Sequence, residues 1–174
     1  MNLILIGLRG SGKTTAGQRA AGLLRRGFVD LDDRTPRLLN APTVADAWNT
    51  HGEPAFRQAE VRSLRETLAQ ADQIIALGGG TPTAPGAPDL IRAEQAAGRA
   101  RVIYLWAPAA TLRERLAATD LSKRPSLTGA DPLAEIERVL ATRDEAYRSL
   151  ADIVLATDGH TIDEVASLIV AASR

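Results

Sequence analysis

The sequence predicts a three-layer α/β/α domain built around a five-stranded parallel sheet. Short apolar runs alternate along the chain with longer segments of helical character. Runs that are hydrophobic at consecutive positions are typical of strands buried on both faces by flanking helices. A glycine-rich segment also follows the first apolar run directly and leads into a helical pattern. In parallel sheets, ligands bind at this kind of place, beyond the carboxyl ends of the strands.

Length and composition favour a single domain over residues 1–174. The chain falls within the about 50–250 residues of a typical domain. Its 45% hydrophobic and 24% charged residues are ordinary globular values. The 21 basic and 21 acidic side chains cancel, so no global basic field attracts nucleic acid or an anionic membrane. The absence of cysteine excludes disulfides, thiolate zinc sites and cysteine nucleophiles.

The predicted elements follow from hydrophobic periodicity. The strands are Leu3–Ile6, Phe28–Leu31, Gln73–Leu77, Arg101–Trp106 and Asp152–Leu155. The helices cover residues 13–25, 54–71, 87–97, 109–118, 132–149 and 161–173. The polar stretch 119–131 is too long for an ordinary connection, so we expect it to form a small mobile lid.

The first functional motif is a phosphate-binding loop. Residues 7–14, GLRGSGKT, match the pattern G-x-x-x-x-G-K-[ST] between a predicted strand and a predicted helix. Backbone N–H groups of such a loop face phosphate oxygens, and the helix N-terminus adds partial positive charge. Lys13 is expected on the β- and γ-phosphates and Thr14 on Mg²⁺. The expected nucleotide contacts in this segment are Gly10, Ser11, Gly12, Lys13, Thr14 and Thr15.

The rest of the chain narrows the class of phosphate-binding protein. A GTPase would carry D-x-x-G and N-K-x-D, and neither pattern occurs. The predicted sheet is also too small for the additional modules of a motor ATPase. A compact phosphotransferase is therefore the leading interpretation.

Two acids mark the end of the second predicted strand. Asp30 and Asp32 are two residues apart, so they share a face if the strand continues. One would organise the Mg²⁺ ligands and the other would bind substrate hydroxyls. The alternative is a helix cap or a solvated turn, both of which aspartate favours.

Two further features indicate an acceptor site. Arg57 lies early in the long predicted helix, and a guanidinium binds a carboxylate through two parallel hydrogen bonds. The alternative is a surface arginine paired with Glu53 or Glu60. Gly78–Gly80 follow the third strand and would let a ligand approach exposed backbone N–H groups, the alternative being a flexible turn.

Together these segments resemble the shikimate kinases, which transfer the γ-phosphate of ATP to the 3-hydroxyl of shikimate. The resemblance covers nearly the whole chain in order. It comprises GLRGSGKT, the D-x-D of FVDLDD, HGEPAFRQAE, ALGGG, Lys123-Arg124-Pro125 in the predicted lid, and Arg143-x-x-x-Tyr147-Arg148.

The resemblance implies a role for each matching position. It implies Lys13, Asp32 and Arg124 as catalytic residues and Thr14 with Asp30 as the metal-binding pair. It places Arg115 on the adenine side and Arg124 on the phosphates. Arg57 and Arg143 would clamp the shikimate carboxylate. The implied substrate-binding set is Asp32, Arg57, Gly78, Gly79, Gly80 and Arg143.

The same resemblance implies a P-loop kinase fold with ATP and shikimate as partners and Mg²⁺ as cofactor. We also expect a cytoplasmic monomer that binds neither nucleic acid nor membranes. Pro36 lies where the family has a helix after the two acids, so we expect that helix to start late.

Two other functions fit parts of the pattern. One is a different small-molecule kinase, acting on gluconate or a nucleoside monophosphate. The other is a nucleotide-sensing module without catalysis, against which the presence of both Asp32 and Arg124 argues.

Overall fold

A five-stranded parallel sheet forms the centre of the computed structural model, which describes residues 1–118 and 135–173. The strands are β1 Asn2–Ile6, β2 Gly27–Asp30, β3 Gln73–Ala76, β4 Ala100–Trp106 and β5 Ile153–Ala156. The helices are α1 Lys13–Leu24, α2 Leu31–Leu38, α3 Val44–Leu68, α4 Ala87–Ala96, α5 Ala109–Ala117, α6 Ile136–Leu150 and α7 Ile162–Ala171. The predicted lid at 119–131 lies outside the described residues.

The sheet has the strand order β2-β3-β1-β4-β5. Leu5 pairs with Ala76 of β3, and Ala76 pairs in turn with Asp30 of β2. Because all these pairings are parallel, the carboxyl ends of three neighbouring strands lie side by side. The segments that follow them, beginning at Gly7, Leu31 and Leu77, therefore start at one edge of the sheet.

The core lies on both faces of the sheet, which confirms the three-layer prediction. On one face, alternate strand residues pack against α1 and α7. On the other face, the remaining strand residues pack mainly against α3, α4, α5 and α6. Every residue of β1 is buried. A fully buried Leu or Ile contributes roughly 1.5–3 kcal/mol, so this strand anchors both cores.

The helix that was expected after the two acids begins between them, directly after Asp30, so the expectation of a late start is wrong. Leu31, predicted as the last residue of β2, is the first residue of α2. The Asp30 side chain caps this helix by accepting a hydrogen bond from the Asp32 N–H at 2.9 Å. Pro36 lies inside α2 and removes one backbone donor, a loss that the cap offsets.

The long helix α3 begins at Val44, well before the predicted start near residue 54. Thr43 caps it by accepting a hydrogen bond from the Asp46 N–H at 3.1 Å. Gly52 interrupts the helix with φ 77° and ψ 167°, a conformation that few other residues adopt. The prediction therefore found only the part of α3 that follows this kink.

None of the helices in the described part of the chain is both long and apolar enough to cross a membrane.

Two glycines of α1 provide a matched stability test. The helix exposes Gly22, where an added Cβ would meet nothing within 4 Å, whereas a Cβ at buried Gly17 would lie 2.7 Å from Phe28 and 2.8 Å from Leu5. We expect Gly22→Ala to stabilise the protein by about 0.5–1 kcal/mol, because alanine favours the helix. Gly17→Ala should be less stable than Gly22→Ala by about 1–3 kcal/mol through overpacking. Urea denaturation measures both, and equal effects would contradict this packing of α1 on the sheet.

Candidate active site

A cavity of about 1010 Å³ lies at the carboxyl edge of the sheet. The loop after β1 lines one side, and the start of α2 with the kinked part of α3 lines the other. Residues from α5, α6 and the beginning of α7 complete the walls. The order of the parallel strands therefore brings segments that are distant in sequence to one cavity.

The loop after β1 has the conformation that phosphate binding requires. Gly12 has φ 89°, which lets the chain turn directly into α1. The Lys13 ammonium donates hydrogen bonds of 2.9 Å to the carbonyls of Gly7 and Leu8, so it lies over the loop. The Ser11 hydroxyl is buried and has no hydrogen-bond partner among the described residues. An unpaired buried donor in this loop suits an anionic oxygen.

Asp30 joins the phosphate-binding loop to the acceptor side of the cavity. One carboxylate oxygen accepts a 2.6 Å hydrogen bond from the Thr14 hydroxyl, and the other caps α2. Asp30 is therefore both a helix cap and a neighbour of the predicted metal ligand Thr14, so the two interpretations of this residue are compatible.

Thr14 and Asp30 fit Mg²⁺ in their chemistry. Across the described ranges, no group of three or more His, Cys, Asp or Glu side chains could hold a metal ion. Mg²⁺ in kinases does not need such a cluster, because one or two carboxylates, water and substrate phosphates complete its ligands. A hydroxyl and a carboxylate in direct contact supply the hard oxygen atoms that this ion prefers.

Asp32 lies in the first turn of α2 and not in a continued strand. The prediction that Asp30 and Asp32 share one face of a strand is therefore wrong, although both residues line the cavity. A Cβ on Gly78 would lie 2.5 Å from Asp32 Oδ1. The carboxylate thus rests against the glycine segment that follows β3.

Arg57 extends from α3 into the cavity with its side chain only 15% exposed. Its guanidinium donates to Glu60 Oε2 at 2.6 Å and to Glu53 Oε1 at 3.3 Å. It also lies 5.1 Å from the centre of the Trp48 ring, which adds a cation–π contact. The predicted ion pairs with both acids exist, but Arg57 is not the surface residue of that alternative.

Glu60, expected only as a partner of a surface arginine, is a buried member of this site. Its side chain is 3% exposed, and its second oxygen accepts a 2.6 Å hydrogen bond from the Thr81 hydroxyl. A buried carboxylate held by two partners fixes the guanidinium that it contacts. The spacing of Arg57 and Glu60, one helical turn apart, was the available signal.

Gly78–Gly80 form the surface on which the acceptor-side residues meet. A Cβ on Gly80 would lie 2.7 Å from the Arg57 Cζ, so this glycine leaves room for the Arg57 guanidinium. In the same way, Gly78 leaves room for the Asp32 carboxylate. Gly79 and Gly80 line the cavity, whereas Gly78 is buried behind them. The glycines thus allow close packing of protein side chains, a role beyond the ligand approach that the sequence predicted.

Arg143 reaches the same glycine segment from α6. Its guanidinium donates a 2.9 Å hydrogen bond to the Gly79 carbonyl, and the Tyr147 hydroxyl donates to the same oxygen. Burial raises the pKa of Tyr147, so this phenol is a neutral donor. Arg57 and Arg143, predicted as a pair, therefore approach one glycine segment from two helices.

Arg115 lies at the opposite end of the cavity. It donates hydrogen bonds of 2.9 Å and 2.6 Å to the side chain and carbonyl of Thr157, just after β5. Thr157 is buried, and the sequence carried no recognisable signal for this contact. Thr15 is exposed on the cavity rim, and Arg124 lies outside the described residues.

The fold and cavity define a class of protein, the small-molecule kinases with a P-loop. A phosphate-binding loop with an adjacent hydroxyl–carboxylate pair is the donor half of such enzymes. Two cationic side chains and an acid around a glycine segment make a compact acceptor half.

Comparison with known proteins identifies the family. The family model for shikimate kinase matches residues 9–174. The chain therefore belongs to the shikimate kinase family and is an ATP-dependent phosphotransferase with an alcohol acceptor.

Individual relatives agree with this assignment. A shikimate kinase from Symbiobacterium thermophilum is 36% identical over 171 residues, covering 95% of this chain and 91% of the relative. One from Oleidesulfovibrio alaskensis is 40% identical over 157 residues, covering 88% and 86%. The structure of shikimate kinase from Acinetobacter baumannii in complex with shikimate has a TM-score of 0.87 at 29% identity, covering 99% of this chain and 92% of that one.

The two acids on Arg57 should differ strongly in their effect on stability. Glu60→Gln leaves a nearly buried guanidinium without its main carboxylate, so we expect a loss of about 1–3 kcal/mol in the free energy of unfolding. Glu53 is 59% exposed, and solvent screening should limit the effect of Glu53→Gln to about 0.5 kcal/mol. Denaturant titration of the two variants and the parent measures the difference. Similar losses would show that Glu60 does not hold Arg57 as described.

Proposed function

We propose that the enzyme transfers the γ-phosphate of ATP to the 3-hydroxyl of shikimate in this cavity, giving shikimate 3-phosphate and ADP. The observation that carries the proposal is the convergence of Asp32, Arg57 and Arg143 on Gly78–Gly80. A Cβ on Gly79 would lie 3.9 Å from the Gly7 carbonyl of the phosphate-binding loop. An acceptor bound on the glycines therefore lies next to the bound phosphates.

The charges of the acceptor half match a small acid with several hydroxyls. The guanidinium of Arg143 uses one nitrogen on the Gly79 carbonyl, and its remaining N–H groups suit a carboxylate. Arg57 approaches from α3 and is paired with Glu53 and Glu60 on the same helix. Two guanidinium groups on one carboxylate give both charge complementarity and orientation. Asp32 would accept hydrogen bonds from the substrate hydroxyls.

The reaction itself requires positioning more than covalent chemistry. The oxygen of the 3-hydroxyl forms a bond to the γ-phosphorus, and the bond from that phosphorus to the β–γ bridging oxygen breaks. Asp32 accepts the hydrogen bond of the attacking hydroxyl and is placed to take its proton. Lys13 would neutralise charge on the β- and γ-phosphates, and its contacts with the Gly7 and Leu8 carbonyls, which hold it over the loop, support this role.

Mg²⁺ would be held by Thr14 and, directly or through water, by Asp30. When bound, this ion neutralises phosphate charge during transfer. Asp30 also caps α2, so the carboxylate that faces the nucleotide fixes the start of the helix carrying Asp32. Arg115 would contact the nucleotide at the far end of the cavity. Arg124 would close on the phosphates from the predicted lid.

Shikimate is favoured over other acceptors by a solved relative, in addition to the charges of the acceptor half. The solved Acinetobacter baumannii relative, which is 29% identical, is a complex with shikimate, and this chain covers 92% of its length. Gluconate kinases and nucleoside monophosphate kinases act on other acceptors, and a nucleotide-sensing module would show no turnover. A coupled assay of ADP release, with shikimate and with an analogue lacking the carboxylate, separates these possibilities. We expect ADP release with shikimate and none with the analogue. Equal ADP release with both compounds would contradict the role of Arg57 and Arg143 in binding the carboxylate.

Arg57→Ala should weaken acceptor binding selectively. Removing one partner of a buried charged hydrogen bond costs about 2–5 kcal/mol, so we expect the shikimate KM to rise at least roughly 30-fold. The ATP KM should change little, because Arg57 lies on the acceptor side. Arg62→Ala is the matched control on the same helix, since Arg62 is exposed and pairs only with Glu66 among the ion pairs of the described residues. Equal increases in both KM values for Arg57→Ala would count against the assignment.

Asp32→Asn should act on the chemical step. An amide oxygen still accepts a hydrogen bond but cannot take the proton, so we expect kcat to fall by about 100-fold or more. ATP affinity, measured by titration, should be nearly unchanged. Asp89→Asn on α4 is an exposed control remote from the cavity. A variant at position 32 with full activity would remove Asp32 from the chemistry.

A further inference from the structure

Tyr147 is a buried side chain of the motif Arg143-x-x-x-Tyr147-Arg148 whose role the proposed reaction leaves open. It is fully buried, and its hydroxyl donates to the Gly79 carbonyl. Arg143 donates to the same oxygen at 2.9 Å. The two residues are one helical turn apart on α6, so they project from the same face. One carbonyl oxygen thus receives both donors.

This shared oxygen determines where the Arg143 guanidinium lies. With two donors, the oxygen is restrained from two directions, and Arg143 is anchored to a fixed point. Because the peptide group is planar, the same restraint fixes the direction of the Gly80 N–H. Without the hydroxyl, the carbonyl can turn toward Arg143 alone, and the guanidinium moves with it.

The surroundings of Tyr147 keep its hydroxyl in place. The ring packs edge-on against Tyr104, with ring centres 5.2 Å apart and planes at 76°. Tyr104 is itself held, since its hydroxyl donates to Asp144 Oδ1 at 2.8 Å. Arg148 binds the other oxygen of Asp144 at 2.7 Å. The phenol is thus supported from behind and cannot swing away from Gly79 without breaking this packing.

We infer that Tyr147 is a positioning residue of the acceptor site, which holds the Gly79 carbonyl so that Arg143 presents its free N–H groups to the substrate carboxylate. The inference rests on the proposed function, because it concerns the binding of shikimate. It adds a residue that touches neither the substrate nor the nucleotide. Its effect reaches the substrate only through Arg143 and the glycine segment.

The test is Tyr147→Phe, which removes one oxygen and keeps the packed ring. We expect the shikimate KM to rise about 5- to 20-fold, the effect of one lost hydrogen bond, with the ATP KM unchanged. Thr67→Val is the matched control, because it also removes a buried hydroxyl that donates to a backbone carbonyl, that of Ser63, at a residue that does not line the cavity. This control should lower the melting temperature and leave the shikimate KM as in the parent.

A double-mutant cycle tests the route through Arg143. In an Arg143→Lys background, the further effect of Tyr147→Phe on the shikimate KM should shrink to less than about twofold, because the guanidinium it positions is gone. Each variant is titrated with shikimate at equilibrium at 10 °C, and its melting temperature is recorded. These two measurements distinguish a variant that is partly unfolded from one that binds shikimate weakly.

The outcomes separate the two proposals. A parent enzyme that does not phosphorylate shikimate overturns the proposed function and this inference with it. An active parent whose Tyr147→Phe variant keeps its shikimate KM, or loses stability only, overturns the inference alone. Full additivity in the cycle does the same, because Tyr147 would then act independently of Arg143.

Discussion

The arrangement of the site depends on one constraint, the lack of side chains on Gly78 and Gly80 in the segment that follows β3 and Leu77. A methyl group on Gly78 would press against Asp32, and one on Gly80 would press against the Arg57 guanidinium. Gly79 contributes its carbonyl, which anchors Arg143 and Tyr147. Helices α2, α3 and α6 therefore place their functional side chains against bare backbone. A larger residue at Gly78 or Gly80 would displace Asp32 or Arg57 from this segment, and the proposed acceptor would lose its common binding surface.

In the proposed function, the two arginines are cations that the protein holds in place before an anionic substrate binds. A nearly buried guanidinium without a partner carries a large desolvation cost. Arg57 meets this cost with Glu60 and, at longer range, with Glu53, while the Trp48 ring covers it. Arg143 is held by a neutral carbonyl instead. One arginine is thus charge-balanced by its own helix, and in the proposed function the other would offer its charge to the substrate carboxylate.

The parts of the site that follow strand ends were predictable, because parallel strands bring their carboxyl ends to one edge. This rule located the phosphate-binding loop, Asp30 and the three glycines. Local rules failed where two roles fall on one residue. Asp30 both contacts Thr14 and caps α2, so the helix starts at Leu31 and Asp32 lies in a helical turn. The hydrophobic pattern also missed the first part of α3, which Gly52 separates from the rest of the helix by a non-helical backbone conformation.

By itself, the sequence determined the five strands along the chain, the helices other than α2 and the loop for phosphate. These features depend on local periodicity and on residue spacing, which are properties of neighbouring positions along the chain. Only the tertiary structure decided that Thr81 holds Glu60 beside Arg57 and that Arg115 binds Thr157. It also decided that Tyr147 shares an acceptor with Arg143. Such contacts join residues from different elements, and their distances are set by how the helices pack on the sheet.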